Sequence, residues 1–73
     1  MPRVGGSARI HHFGGAVEPA RIAAVDDGGR RLEVRAQGGE LLRFELNPAT
    51  ARFLPAGDAQ GTRLELLSDA QGT

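Results

Sequence analysis

RRLEVRAQGGELLRFEL, residues 30–46, alternates apolar and charged residues on both sides of a Gly-Gly pair, and that alternation is the mark of a β-hairpin. Leu32, Val34 and Ala36 share one face and Arg31, Glu33 and Arg35 the other, while past the glycines Leu42, Phe44 and Leu46 oppose Arg43 and Glu45. Successive side chains of a strand point to opposite sides, so one face of this hairpin is core and the other meets water. The pattern decides the fold class and carries no chemistry of its own.

Residues that pair across a hairpin share a face, and this restricts the loop. A two-residue Gly38-Gly39 turn would set Val34 against Arg43 and mix the faces, so the loop is odd in length. A three-residue loop of Gln37, Gly38 and Gly39 places Val34 against Leu42 and Leu32 against Phe44 inside, with Glu33 against Arg43 and Arg31 against Glu45 outside. Shifting the loop to Gly38, Gly39 and Glu40 would oppose Arg35 to Arg43 and Glu33 to Glu45. Unlike charges directly opposite contribute roughly 0.2–1 kcal/mol each and like charges destabilise. The first register is therefore expected, with a glycine supplying the positive φ that such loops need.

Working outward, residues 8–13 read as a first strand that ends or bulges near His12, because Ile10 and Phe13 have opposite parity. Gly14-Gly15 marks a loop, and Pro19 is barred from the middle of a central strand. Residues 21–26 (RIAAVD) form a second strand, closed by a turn at Asp27-Gly28-Gly29. Residues 62–67 (TRLELL) form the last, with Leu64 and Leu66 inward and Arg63 and Glu65 outward.

Asn47-Pro48-Ala49-Thr50 admits two readings. Asn47 as N-cap and Pro48 at the first helical position would open a helix, and Leu46, Ala49, Thr50, Phe53 and Leu54 repeat at helical spacing. Alternatively a single 3₁₀ turn leads into a short strand over residues 51–54; Pro55 leans the choice this way, since it leaves little room for a helix.

Short strands separated by Gly-rich turns predict an all-β domain, a small antiparallel five- to six-stranded SH3-like barrel or bent sheet, with room for one short helical turn near residues 48–54. Closing the sheet removes its exposed edges. Ile10, Phe13, Ile22, Val25, Leu32, Val34, Leu42, Phe44, Leu46, Phe53, Leu64 and Leu66 are the expected core. The 73 residues make one domain near the lower size for folding alone. Its expected extent is residues 8–67, between flexible tails at 1–7 and 68–73.

Cysteine is absent, which removes disulfides and thiolate metal sites and suits a cytoplasmic protein. No stretch resembles a signal peptide or approaches the roughly 18 apolar residues of a membrane span. All nine basic residues are arginine and are balanced by nine acids, giving zero net charge. That balance supplies no overall electrostatic footprint for nucleic acid or an anionic membrane. The lack of lysine beside abundant Ala, Gly and Arg reflects a GC-rich genome.

Histidine is the usual metal ligand and proton shuttle, which draws attention to His11-His12. Neighbours in a strand point to opposite faces, so the pair is poorly placed to ligate one ion. Ser7 and Ser68 lie in the expected tails, away from any base that could activate them. Glu18, Asp26, Asp27, Glu33, Glu40, Glu45, Asp58 and Glu65 include no pair at a diagnostic catalytic spacing, and Asp26-Asp27 before Gly28-Gly29 reads as a turn. The glycine pairs fit neither a phosphate loop nor a dinucleotide fingerprint, since no helix opens after them. No catalytic residue, cofactor or metal site is expected.

RIHHFGGAV (residues 9–17), followed by RIAAVDDGGRRLEVRAQGGELLRFEL (21–46) and ATARFLPA (49–56), resembles the small Tudor- or KOW-type SH3-like barrels at the end of some bacterial helicases and in transcription-coupling factors. In those an H-x-x-F-G-x-G-x-V segment precedes a hairpin and a final short strand; His11 or His12, Phe13, Gly14 and Val17 are the matching positions. The resemblance implies a non-catalytic module that binds another protein, often RNA polymerase, or nucleic acid.

The expected function is therefore a small non-enzymatic barrel acting through protein contact, either with itself as a homodimer or with a larger partner. Leu41 is out of phase with Leu42, Phe44 and Leu46, and Leu67 with Leu64 and Leu66, so with Arg35 and Arg43 they form a candidate partner surface. Two alternatives belong to other classes. A nucleic-acid-binding barrel would bring Arg9, Arg21, Arg30, Arg52 and Arg63 together, and a small metal protein would use His11 and His12.

Overall fold

Six strands follow one another along the chain: β1 (Ser7–His11), β2 (Val17–Asp26), β3 (Arg31–Ala36), β4 (Leu41–Asn47), β5 (Arg52–Pro55) and β6 (Arg63–Leu66). In the computed structural model, which describes residues 2–56 and 61–70, each pairs antiparallel with the next and β6 returns to β1, closing a barrel. Among the described residues only two 3₁₀ turns, Asp27–Gly29 and Ser68–Ala70, are helical.

The central hairpin takes the register that parity and charge require. Leu32 faces Phe44, Val34 faces Leu42, Glu33 faces Arg43 and Arg31 faces Glu45. The loop is Gln37, Gly38 and Gly39: the Ala36 N–H donates to the Glu40 carbonyl at 2.8 Å, and the Gly39 N–H returns to the Ala36 carbonyl at 2.9 Å. Gly39 sits at φ +92°, a conformation that a side chain would strain.

Asn47 takes the turn reading. Its side-chain Oδ1 accepts the Ala49 N–H at 2.9 Å and its carbonyl accepts the Ala51 N–H at 2.8 Å, so the chain reverses within four residues and enters β5. β2 begins at Val17, earlier than its composition suggests, and contains Pro19. Pro19 faces Arg9 of β1, but pairing with β3 starts only at Ala20, so the strand is locally an edge, where proline is tolerated. Farther along β2 the register to β3 shifts between Ile22 and Ala24, a bulge that leaves Ala23 extra.

Ile10, Ile22, Leu32, Val34, Phe44, Phe53 and Leu64 are buried, with Val25, Leu42, Leu46 and Leu66 packed against them. Four alanines, Ala8, Ala20, Ala36 and Ala70, complete the interior. Phe13 is the exception among the expected core residues: it is 83% exposed. β1 ends at His11 and the last ladder bond runs from the His12 N–H to the Ala16 carbonyl, so Phe13 falls in the loop.

The expected boundaries at Ala8 and Leu67 fall inside a contact between the two ends of the chain. The Arg3 N–H donates to the Ala70 carbonyl at 2.9 Å, and Ser7 donates its N–H and hydroxyl to the Asp69 carboxylate at 3.1 and 2.9 Å. A Cβ on Gly6 would lie 2.4 Å from the Ala70 Cα, so glycine is required for this close approach. Met1 and residues 71–73 of the expected tails lie outside the described residues.

Candidate functional site

Barrel closure arranges the outward side chains in rows that cross the strands. One row is Ser7 opposite Arg21, Arg21 opposite Arg35, and Arg35 opposite Leu41. Leu67 joins its far end, since its N–H donates to the Ser7 carbonyl at 3.1 Å. On the next row Arg9 faces Pro19. Between them runs an open groove of about 490 Å³, lined by Arg9, Arg21, Arg35, Pro19, Ala20 and Leu67 among others.

Arg21 and Arg35 are thus like charges directly opposite one another, an arrangement that costs stability. Neither makes an ion pair among the described residues. Arg21 donates from Nη1 to the Gly5 carbonyl and Arg35 from Nη1 to the Gly39 carbonyl, each at 3.0 Å. On the β3–β4 face the same kind of row is complementary, with Arg43 3.6 Å from Glu33 and Arg31 3.8 Å from Glu45.

Asp69 flanks the arginine row. Its carboxyl is held below the ordinary range chiefly by the Ser7 N–H and then by the Ser7 hydroxyl, against some loss of solvation, with the positive charge of Arg21 helping.

Of the four residues expected at a partner surface, the structure brings Arg35, Leu41 and Leu67 into one row. Leu41 is 48% exposed and Leu67 half-buried. Arg43 lies apart, paired with Glu33 and lining a separate groove with Leu41, Leu42 and Pro55. The five arginines proposed for nucleic acid also divide. Arg9 and Arg21 join Arg35, whereas Arg30, Arg52 and Arg63 line a different groove. Sequence reasoning missed the opposition of Arg21 to Arg35, which depends on the register between β2 and β3, and missed Asp69, which acts across 62 positions of chain.

The two histidines part as strand geometry demands. His11 Nε2 lies 2.8 Å from Glu65 Oε1 on the outward side of β1 and β6, and His12 Nε2 lies 2.7 Å from Glu18 Oε1. Glu18 lies opposite Ile10 whereas Glu65 lies opposite Arg9, so the two pairs stand apart, and both remain part-exposed. The His11 hydrogen bond is the main cause that keeps the Glu65 carboxyl below its usual value. No group of three metal-ligating side chains occurs among the described residues. Asp26 Oδ1 accepts the Asp27 N–H at 2.8 Å and opens the expected turn, while Asp58 lies outside the described residues.

Among the described residues no helix is long and apolar enough to cross a membrane. No protein-family model, curated protein or solved structure matches the chain.

Proposed function

We propose that this barrel is a non-enzymatic binding module that docks an acidic, partly apolar segment of another protein in the groove over β1, β2 and β3. The observation that carries this is Arg21 facing Arg35 on the wall of that groove. On the β3–β4 face the barrel matches its outward charges, and here it leaves guanidinium groups that a partner's carboxylates would take up in bidentate hydrogen bonds. Pro19 and Leu67 supply apolar surface between the charges. That lining favours a peptide with apolar side chains over a phosphate backbone, and zero net charge gives no long-range attraction for nucleic acid.

A non-catalytic role fits how the reactive groups are engaged. His11 and His12 are held by Glu65 and Glu18, and the Ser7 hydroxyl donates to Asp69, with no histidine to take its proton. The resemblance of residues 9–17, 21–46 and 49–56 to Tudor- and KOW-type modules supports a non-catalytic docking role, for protein or for nucleic acid.

NMR titration with a peptide alternating Glu and Leu tests the reading, with an alternating Lys-Leu peptide and an RNA duplex as the other arms. The acidic peptide is expected to give saturable shifts centred on Arg9, Arg21, Arg35 and Leu67, lost in Arg21→Glu. Stronger, saturable shifts with the RNA duplex would replace protein docking by nucleic-acid binding, and no response to the acidic peptide would end the proposal.

A further inference from the structure

The large apolar side chains that the barrel leaves exposed gather at one of its ends. Among the described residues they are Val4, Phe13, Val17 and Leu41. Strands alternate in direction around a closed antiparallel barrel, so the end of β1, the start of β2 and the start of β4 lie at the same end. Phe13 follows β1, Val17 opens β2 and Leu41 opens β4, whereas Val4 precedes β1 and lies at the opposite end. A lone exposed apolar side chain is ordinary; three at one end make a patch.

Phe13 is held there as a fixed projection. The His12 N–H donates to the Ala16 carbonyl at 2.7 Å, the Gly15 N–H donates to the His12 carbonyl at 3.1 Å, and His12 Nε2 lies 2.7 Å from Glu18 Oε1. The loop is thus tied on both sides of the ring. Gly61 gives the ring its seat, since a Cβ there would stand 2.7 Å from Phe13 Cδ2. The remainder of the ring meets water, and the residue is 83% exposed. Beside this projection is a hollow of about 600 Å³, bounded by His12 and Thr62 on the Phe13 side and by Leu41, Leu42, Pro55 and Ala56, each of them half-buried or exposed.

We infer that this end is the face on which two copies of the chain pair about a two-fold axis, each Phe13 entering the hollow of the other copy. An isologous contact needs a surface that fits itself, and here projection and hollow share one face. Glu33 and Arg43 edge the hollow and Glu40 precedes Leu41, so the border carries both signs. A reversed copy can set carboxylate against guanidinium along that border, and zero net charge leaves no repulsion between copies. A partner of one charge sign would meet repulsion somewhere along it. A standard interface takes roughly 800 Å² from each partner, about a sixth of the 4840 Å² surface, which is the share that one end of so small a body presents. The face uses none of Arg9, Arg21 and Arg35 and so stands apart from the docking groove.

The test is sedimentation equilibrium of the full chain from micromolar to millimolar concentration, with NMR spectra followed over the same range. The parent is expected to pass from monomer to dimer, with concentration-dependent shifts centred on Phe13, Leu41, Leu42 and Thr62. Phe13→Ser should weaken the dimer by at least roughly tenfold, as loss of an aromatic anchor does, with the urea midpoint kept because the ring lies outside the core. Leu41→Glu should weaken it as well, whereas Val4→Ser at the opposite end should leave it unchanged. A parent that stays monomeric at millimolar concentration would overturn the inference. So would undiminished pairing in Phe13→Ser or Leu41→Glu, or shifts centred on Val4. The shift pattern of the parent decides the face even if a variant unfolds.

Discussion

The two faces on either side of β3 treat charge in opposite ways. Toward β4, Glu33 meets Arg43 and Arg31 meets Glu45, and the outward surface of the hairpin satisfies itself. Toward β2, Asp26 meets Arg31 at one end, but at the other Arg35 meets Arg21, and these two guanidiniums settle for backbone carbonyls. One strand therefore carries a self-sufficient surface on one flank and an unbalanced one on the other. Zero net charge conceals this, because the balance is kept over the molecule and not locally. The docking proposal rests on the place where this cross-strand complementarity stops.

The largest effect is expected from the core that both faces share. Phe44 is 1% exposed and lies opposite Leu32 beneath the matched charges. Phe44→Ala should cost about 3–5 kcal/mol, as removal of a buried aromatic does, and unfold most of the population, read from urea denaturation. A midpoint equal to the parent's would break the comparison at its root, since the two outward faces would then not rest on a common interior.

Exchanging the charges on the two flanks should move stability in opposite directions. Arg35→Glu places a carboxylate opposite Arg21 and should stabilise by roughly 0.2–1 kcal/mol, toward the lower end because the pair is exposed, while abolishing binding of the acidic peptide. Glu33→Arg sets like charges face to face across β3 and β4 and should destabilise by roughly the same amount with peptide binding kept. Equilibrium unfolding of both variants measures the two signs together. If Arg35→Glu also destabilised, the Arg21–Arg35 opposition would be no cost to the fold, and the argument for a partner there would lose its footing.

How much of this was legible follows from distance along the chain. The hairpin could be read because Leu32, Val34, Phe44 and their charged neighbours lie within one short stretch, where parity and cross-strand charge constrain each other. Its matched face was therefore visible. The unmatched face was not: Arg21 reaches Arg35 only through a register interrupted by the bulge at Ala23, and RIAAVD, with small apolar residues on both faces, gives no parity signal to place it. Ala8, Ala20 and Ala70 were missed as core because alanine marks no face by itself, whereas Ala36 was placed inward by Leu32 and Val34 in its own strand; the burial of the other three shows only once the strands close. Phe13 erred the other way, since a large apolar side chain beside a strand looks like core until the strand is seen to stop two residues earlier. The grouping of Leu67 with Arg35 and Leu41 was half visible, each leucine being out of phase with its own strand, but their common row is a product of barrel closure.

The smallest effect tests what anchors the arginine flank. Asp69 receives the Ser7 N–H and hydroxyl at the end of the row that contains Arg21, and these bonds, with the Arg21 charge, hold its carboxyl below the ordinary 3.8. The unfolded chain therefore takes up that proton at higher pH than the folded one. The contribution is complete above the ordinary value and is lost as pH falls through the lower folded one. Glu65, lowered mainly by His11, acts in the same direction from the ordinary 4.5. Acid unfolding of Asp69→Asn should show a flatter loss of stability below about pH 4 than the parent. Ser7→Ala should flatten it less, because the N–H that contributes most survives the substitution. Superimposable acid limbs for Asp69→Asn and the parent would mean that the chain ends do not brace the arginine row. Arg21 would then be held by the Gly5 carbonyl alone, and the groove would be softer than its opposite flank.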